Sequence, residues 1–200
     1  MQFLPVKRAL LSVTHKTGLL ELAGFLADRG AEIVSTGGTA KLIRENNIPV
    51  TGVSSVTGFP EILGGRVKTL HPLVHGGVLA DKDDPEHVRI LHEHGIRFFD
   101  LVCVNLYDFA GAVTYEAGLK EAIEMIDIGG PALLRAAAKN FHSVCVLPHP
   151  DDYLPFMIQI REKGHVDLEF RLRTAARAFD LTSGYDQMIA GYLRQKIESY

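Results

Sequence analysis

Cysteine is scarce in this chain: two in 200 residues, Cys103 and Cys145. Each sits inside an apolar run, Leu101–Val104 for one and Val144–Leu147 for the other. Thiols so placed read as buried free cysteines in a reducing compartment, which excludes a disulfide scaffold and a cysteine metal clip. An excess of positive charge is missing too. Lys and Arg number 21 against 24 Asp and Glu, a net charge of −3, whereas a general polyanion binder is basic. No apolar stretch approaches the ~20 residues that cross a bilayer. The start, Met1-Gln-Phe-Leu-Pro-Val-Lys-Arg8, places its charge after a short apolar piece, the reverse of a secretion signal. A soluble cytoplasmic protein is expected, with no membrane or nucleic-acid partner. With 46% apolar and 22% charged residues, the composition is that of a globular domain with a real core.

Short β-like runs alternate with amphipathic stretches, which predicts an α/β domain on a mostly parallel sheet. Strands are expected at Ala9–Val13, Glu32–Ser35, Val50–Val53, Leu101–Val104 and Val144–Leu147. Helices are expected over Leu19–Leu26, from near Ala40 to Asn46–Asn47, and over Pro85–His94, Leu119–Met125 and Pro131–Asn140. Two more, Asp167–Ala178 and Tyr185–Ser199, follow at the C-terminal end. Ser54–His75 shows no period, and an irregular segment of that length in a compact domain points to function. The organisation is one domain: an α/β core over 1–150 and a helical extension over 151–200.

Four segments carry candidate chemistry. Thr36-Gly37-Gly38-Thr39 joins a strand to a helix. Its glycines admit close approach, and the helix start offers free N–H groups to a phosphate. The same residues also suit an ordinary turn with Thr39 as N-cap. The turn is neither GxGxxG nor GxxxxGK[ST], so it is not a dinucleotide or P-loop signature. Thr14, His15 and Lys16 end the first strand, on the edge where parallel sheets collect ligands. Gly64-Gly65-Arg66-Val67-Lys68-Thr69-Leu70-His71-Pro72 holds two cations in a glycine-flanked loop, either a binding loop or an exposed basic one. His71 and His75 are four apart, but Pro72 and the lack of a following Glu oppose a zinc site. Asn105 and Tyr107 directly follow the buried strand that ends at Val104, where α/β enzymes place ligand contacts, and they equally suit a turn. Asp127-Ile128-Gly129-Gly130-Pro131 leads into the expected helix Pro131–Asn140, with Lys139, twelve residues beyond Asp127, near its far end. Lys139 equally suits a helix C-terminus. No metal is expected.

In order, Ser12–Gly18, Ser35–Lys41, Thr57–Glu61, Gly64–Pro72, Asn105–Tyr107, Ile126–Gly130 and Leu133–Asn140 resemble the inosine monophosphate (IMP) cyclohydrolase domain of bifunctional purine-biosynthesis proteins. The resemblance runs from about Arg8 through the C-terminal helices, and the nine residues Gly64–Pro72 are its most specific part. It implies a methylglyoxal-synthase-like, doubly wound fold with helices on both faces, and a homodimer. It also implies closure of 5-formamidoimidazole-4-carboxamide ribonucleotide (FAICAR) to IMP and water, without a cofactor. The family pattern puts Lys139 in proton transfer, with Lys68, Tyr107 and Asp127 around the reacting groups. It puts the nucleotide against Thr14, His15, Lys16, Thr36, Gly37, Gly38, Thr39, Arg66, Val67, Lys68, Thr69, Val104, Asn105, Asp127, Ile128 and Gly129. Two positions depart from it: Asp108 stands where many relatives have Pro, and His15 where some have Asp. Bifunctional relatives continue into a transformylase domain beyond these 200 residues.

The residue types suit that chemistry. Attack is intramolecular, so a held near-attack conformer supplies much of the rate. What remains is a cation for the formyl oxygen, an acceptor for the amide proton and an acid for departing water. Lys68 and Lys139 suit the first and last, Asp127 can orient the carboxamide, and Tyr107 can donate or accept. Two rivals share the fold: a regulatory domain holding a phosphorylated metabolite, and a lyase acting on a triose phosphate.

Overall fold

The computed structural model describes residues 1–107, 109 and 118–198. Asp108 and Ser199 lie outside the described residues. Five strands form one sheet: β2 (Arg8–Ser12), β3 (Glu32–Ser35), β4 (Thr51–Gly52), β5 (Leu101–Val104) and β6 (Cys145–Leu147). Their order is β4-β3-β2-β5-β6, and every neighbouring pair is parallel. The central strands are apolar without alternation because both faces are covered, and all four residues of β5 are buried.

Helices close each face. On one, α1 (Leu19–Asp28), α2 (Gly37–Glu45) and α8 (Tyr153–Lys163) bury Leu22, Ile43 and Phe156 against Ala9, Leu11 and Cys103. On the other, α4 (Pro72–Leu79), α7 (Gly129–Lys139) and α9 (Leu168–Glu198) bury Val78, Leu134 and Ala178 against Leu10, Val102 and Val146. Shorter helices α3 (Val53–Thr57), α5 (Pro85–Glu93) and α6 (Leu119–Glu124) lie in the connections. A two-stranded antiparallel ribbon, β1 (Phe3–Leu4) with β7 (Val166–Asp167), ties the chain's start to the beginning of α9. The wholly buried Arg171 reinforces this tie. Its guanidinium donates to the carbonyls of Met1, Gln2, Phe141 and His142.

The doubly wound parallel sheet matches the sequence expectation; several boundaries do not. The two expected C-terminal helices are one helix of 31 residues. Its Gly184 costs about 1 kcal/mol against Ala, but Thr182 and Tyr185 beside it are buried, and that packing carries the helix through. The third strand shrinks to Thr51–Gly52, because Val53 starts α3. The segment read as irregular holds α3, a 3₁₀ turn at Leu63–Gly65 and the start of α4, capped by His71. Helix α2 starts at Gly37 instead of near Ala40.

Candidate functional site

Parallel strands place their carboxyl ends on one edge, and the loops after β2, β3 and β5 meet there. Two buried side chains bind these loops together. The Asn105 carbonyl accepts from the N–H groups of Thr14 at 2.6 Å and His15 at 3.1 Å, and its amide donates to the His15 carbonyl at 3.2 Å. The Thr39 hydroxyl donates to the Val13 carbonyl at 2.9 Å and accepts from the Val13 N–H at 3.1 Å. Lys16 Nζ donates to Thr39 Oγ1 at 2.8 Å and to the Val13 carbonyl. Burial lowers the Lys16 pKa.

Thr39 is therefore inside α2, and the alternative of an ordinary turn with Thr39 as N-cap does not hold. Thr36 stands at the N-cap with extended backbone and no side-chain cap bond. Its hydroxyl pairs with Ser12 Oγ at 2.8 Å. Gly37, at φ +43°, and Gly38 are exposed at the helix start. Their N–H groups, with the positive end of the helix, form a ready anion cradle.

The loop before α4 folds over this cradle. An antiparallel bridge between Ile62 and Val67 closes it, and Gly64 and Gly65 turn at φ +65° and +90°. Lys68 lies back across the turn, so close that a Cβ on Gly65 would sit 2.5 Å from Lys68 Cε. A Cβ on Gly37 would lie 3.5 Å from Lys68 Nζ, which places the ammonium above the cradle. Glu61 Oε2 is 3.5 Å from the same nitrogen. Thr69 is buried, and its hydroxyl is 3.1 Å from where a Gly129 Cβ would stand. His75 in α4 pairs its Nδ1 with the Thr69 carbonyl at 3.0 Å.

Asp127 faces the group from the start of α7. Its carboxylate accepts from the Gly130 N–H at 2.9 Å, and its own N–H donates to the Tyr185 hydroxyl at 2.8 Å. Burial raises the Asp127 pKa, with the N–H groups of Gly130 and Gly129 and the Lys68 charge opposing. Gly130 must lack a side chain, since a Cβ there would collide with the Asp127 carboxylate.

Most expected residues thus converge on one edge: Thr14, His15, Lys16, Thr36–Thr39, Lys68, Thr69, Asn105, Asp127 and Gly129. Val104 is the buried end of β5, while Tyr107 and Ile128 are about half-exposed around the opening. Val67 is engaged in the bridge to Ile62. Arg66 is turned to Glu124, with Nε 3.1 Å from Oε2, an ion pair that raises the arginine and lowers the glutamate. Lys139 is not brought in. It is the last, exposed residue of α7, about 15 Å along the axis from Gly129 at 1.5 Å per residue, beyond a lysine's reach. The proton-transfer role expected of it is not met within one chain. Glu61 and Tyr185 carry no functional signal in the sequence: Glu61 ends the stretch Thr57–Glu61 that shares in the family resemblance, and Tyr185 reads as one more position on the buried stripe of α9. Among the described residues, one group of ligand type occurs, Asp81, Asp83 and His142. It lies beyond the far end of α7, with the Met1 ammonium on Asp83 and His142.

This arrangement on this sheet has counterparts. The MGS-like domain family matches residues 18–132. The chain belongs to that family. The AICARFT/IMPCHase bienzyme family matches residues 137–200 of this MGS-like chain. It is 51% identical over 189 residues to the bifunctional purine biosynthesis protein PurH of Bacillus subtilis, covering 94% of this chain and 37% of that protein. The PurH of Clostridium perfringens is 50% identical over 194 residues, covering 97% of this chain and 39% of its own length. The chain thus spans under two-fifths of these curated relatives. A solved structure, that of ForH, superposes with a TM-score of 0.81 at 36% identity, over 92% of this chain and 97% of its own.

Proposed function

We propose that this chain is an IMP cyclohydrolase, converting FAICAR to IMP and water in purine biosynthesis. The observation that carries the reading is the placing of Lys68 and Asp127 together over the Thr36–Thr39 cradle, in a chain half identical to the start of PurH. The substrate phosphate sits on the exposed N–H groups of Gly37 and Gly38, near Lys16. The carboxamide nitrogen attacks the formyl carbon, and a C–N bond forms. Its proton goes to the Asp127 carboxylate, while the Lys68 ammonium donates to the formyl oxygen. The Asp127 carboxylic acid then protonates the carbinol hydroxyl, which leaves as water, the former formamide nitrogen returns its hydrogen to the Lys68 amine, and the ring C=N forms. Tyr107 at the mouth is the donor nearest solvent for the departing water. Lys139 takes no step in this scheme. The reaction requires no metal or organic cofactor, and we place it in the cytoplasm, in a homodimer.

The decisive assay is direct. Purified chain incubated with FAICAR should yield IMP, followed by absorbance. Nucleotide binding without turnover would favour the regulatory reading, and release of methylglyoxal from a triose phosphate the lyase reading.

Two further results are expected. Lys16→Ala should raise KM about tenfold or more with kcat within about threefold, because phosphate contact is the same in ground and transition states. Steady-state kinetics check this; a collapse in kcat at unchanged KM contradicts it. The pH profile of kcat should rise along an acid limb above 3.8, the ordinary value from which burial raises Asp127. Activity needs the ionised carboxylate, so it is lost as pH falls through the raised pKa. Asp127→Asn should remove that limb along with most of the turnover. An acid limb at the ordinary carboxylate value would contradict the assignment.

A further inference from the structure

The backbone of Asp127 is held by a residue 58 positions away, on the helix that closes the described chain. Tyr185 is 4% exposed. Its ring meets Phe109 edge-on, with centroids 6.3 Å apart and planes at 74°. Helical spacing brings it there, since Ala175, Ala178, Thr182 and Tyr185 line the buried side of α9. The hydroxyl accepts the Asp127 N–H at 2.8 Å, which no other described group does. Gly130 holds the carboxyl end of the same residue. Asp127 is thus pinned at two points, its backbone by α9 and its carboxylate by α7. Burial raises the Tyr185 pKa, the hydrogen bond from the Asp127 N–H opposes that rise and the Asp127 charge adds to it, so the two groups also sense each other electrostatically.

We infer that Tyr185 is a positioning residue for Asp127, fixing the peptide before α7 so that the carboxylate faces the reacting amide. The inference rests on the cyclohydrolase reading. It couples the C-terminal helix to the chemistry: a displacement of α9 would release the Asp127 N–H and let the carboxylate turn away.

The test is Tyr185→Phe, which keeps the ring and its contact with Phe109. An amide donor left buried and unpaired costs enough to move a rate about tenfold to a hundredfold. The expected result is a fall in kcat of that size, KM within about twofold, and Asp127 amide exchange at least about tenfold faster. Tyr192→Phe is the matched control. Its ring also meets Phe109 edge-on, at 5.6 Å, and its buried hydroxyl has no partner among the described residues. That variant should leave kcat and Asp127 exchange unchanged. Equal losses in both variants would reduce Tyr185 to a core residue, and unchanged kcat in Tyr185→Phe would overturn the proposal. Unchanged Asp127 exchange would overturn the contact itself. A wild-type chain that closes no ring would sink the cyclohydrolase reading and catalytic positioning together. Normal wild-type turnover with an indifferent Tyr185→Phe sinks only the latter.

Discussion

Lys68→Met should lower kcat by about two to three orders of magnitude, the usual cost of removing one donor to a developing oxyanion. The side chain is unbranched and of similar length, so the fold over Gly65 and Gly37 should survive, and a melting curve should confirm it. KM should also rise, because the ammonium stands 3.5 Å from the position of a Gly37 Cβ and so contributes to the cradle. Lys139→Met is the comparison. The far end of α7 is about 15 Å from the site, so this variant should keep turnover within about threefold. The pair of measurements discriminates sharply. A folded Lys139→Met enzyme without turnover would return proton transfer to Lys139 and require a route to it that one chain does not contain. A fully active Lys68→Met enzyme would remove the oxyanion assignment.

Gly77→Ala should destabilise the fold strongly. A Cβ at Gly77 would run into the Arg97 carbonyl oxygen and approach Phe99 Cδ2 to 3.1 Å. The Gly77 carbonyl accepts the Phe99 N–H at 2.9 Å, so helix α4 cannot back away without breaking the bond that leads into β5. Overpacking against backbone costs about 3 kcal/mol, and for a domain of this size Tm should fall by about 6–12 °C. Gly76→Ala, one residue earlier, meets only the Ile96 side chain at 3.2 Å. Ile96 can shift, so Tm should move by less than about 3 °C. Thermal unfolding of the two variants side by side checks both numbers. Equal, small shifts would mean that α4 sits more loosely on β5 than its hydrogen bond implies.

Periodicity and turn chemistry determined much of this protein without coordinates. Leu101-Val-Cys-Val and Val144-Cys-Val-Leu read as doubly buried parallel strands because such strands need no polar face, and both fall in the sheet. Thr36-Gly-Gly-Thr39 and Asp127-Ile-Gly-Gly-Pro131 read as helix starts because glycine and proline restrict what the backbone does there. Those local rules marked the cradle, Asn105, Lys68 and Asp127 as candidates, and the family resemblance gave them their roles.

What they left open depends on distance in space. Whether Gly184 breaks the last helix was decided by the burial of Thr182 and Tyr185, a tertiary gain larger than the glycine cost. Lys139 and Lys68 are both lysines within family motifs. Only the direction of α7, running away from the strand ends, separates one from the site while the Gly65 turn folds the other over it. The same holds for Arg66, which the loop's sequence offers to a phosphate and which the structure gives to Glu124. Tyr185 shows the limit most plainly. Its spacing marks it as core, and its hydroxyl acquires a purpose only because α9 lies across the backbone of Asp127. Sequence specified which residues are present and the local conformations they favour. The packing of helices on the sheet decided which charges meet, because electrostatic and hydrogen-bond partners are fixed by contact and not by order along the chain.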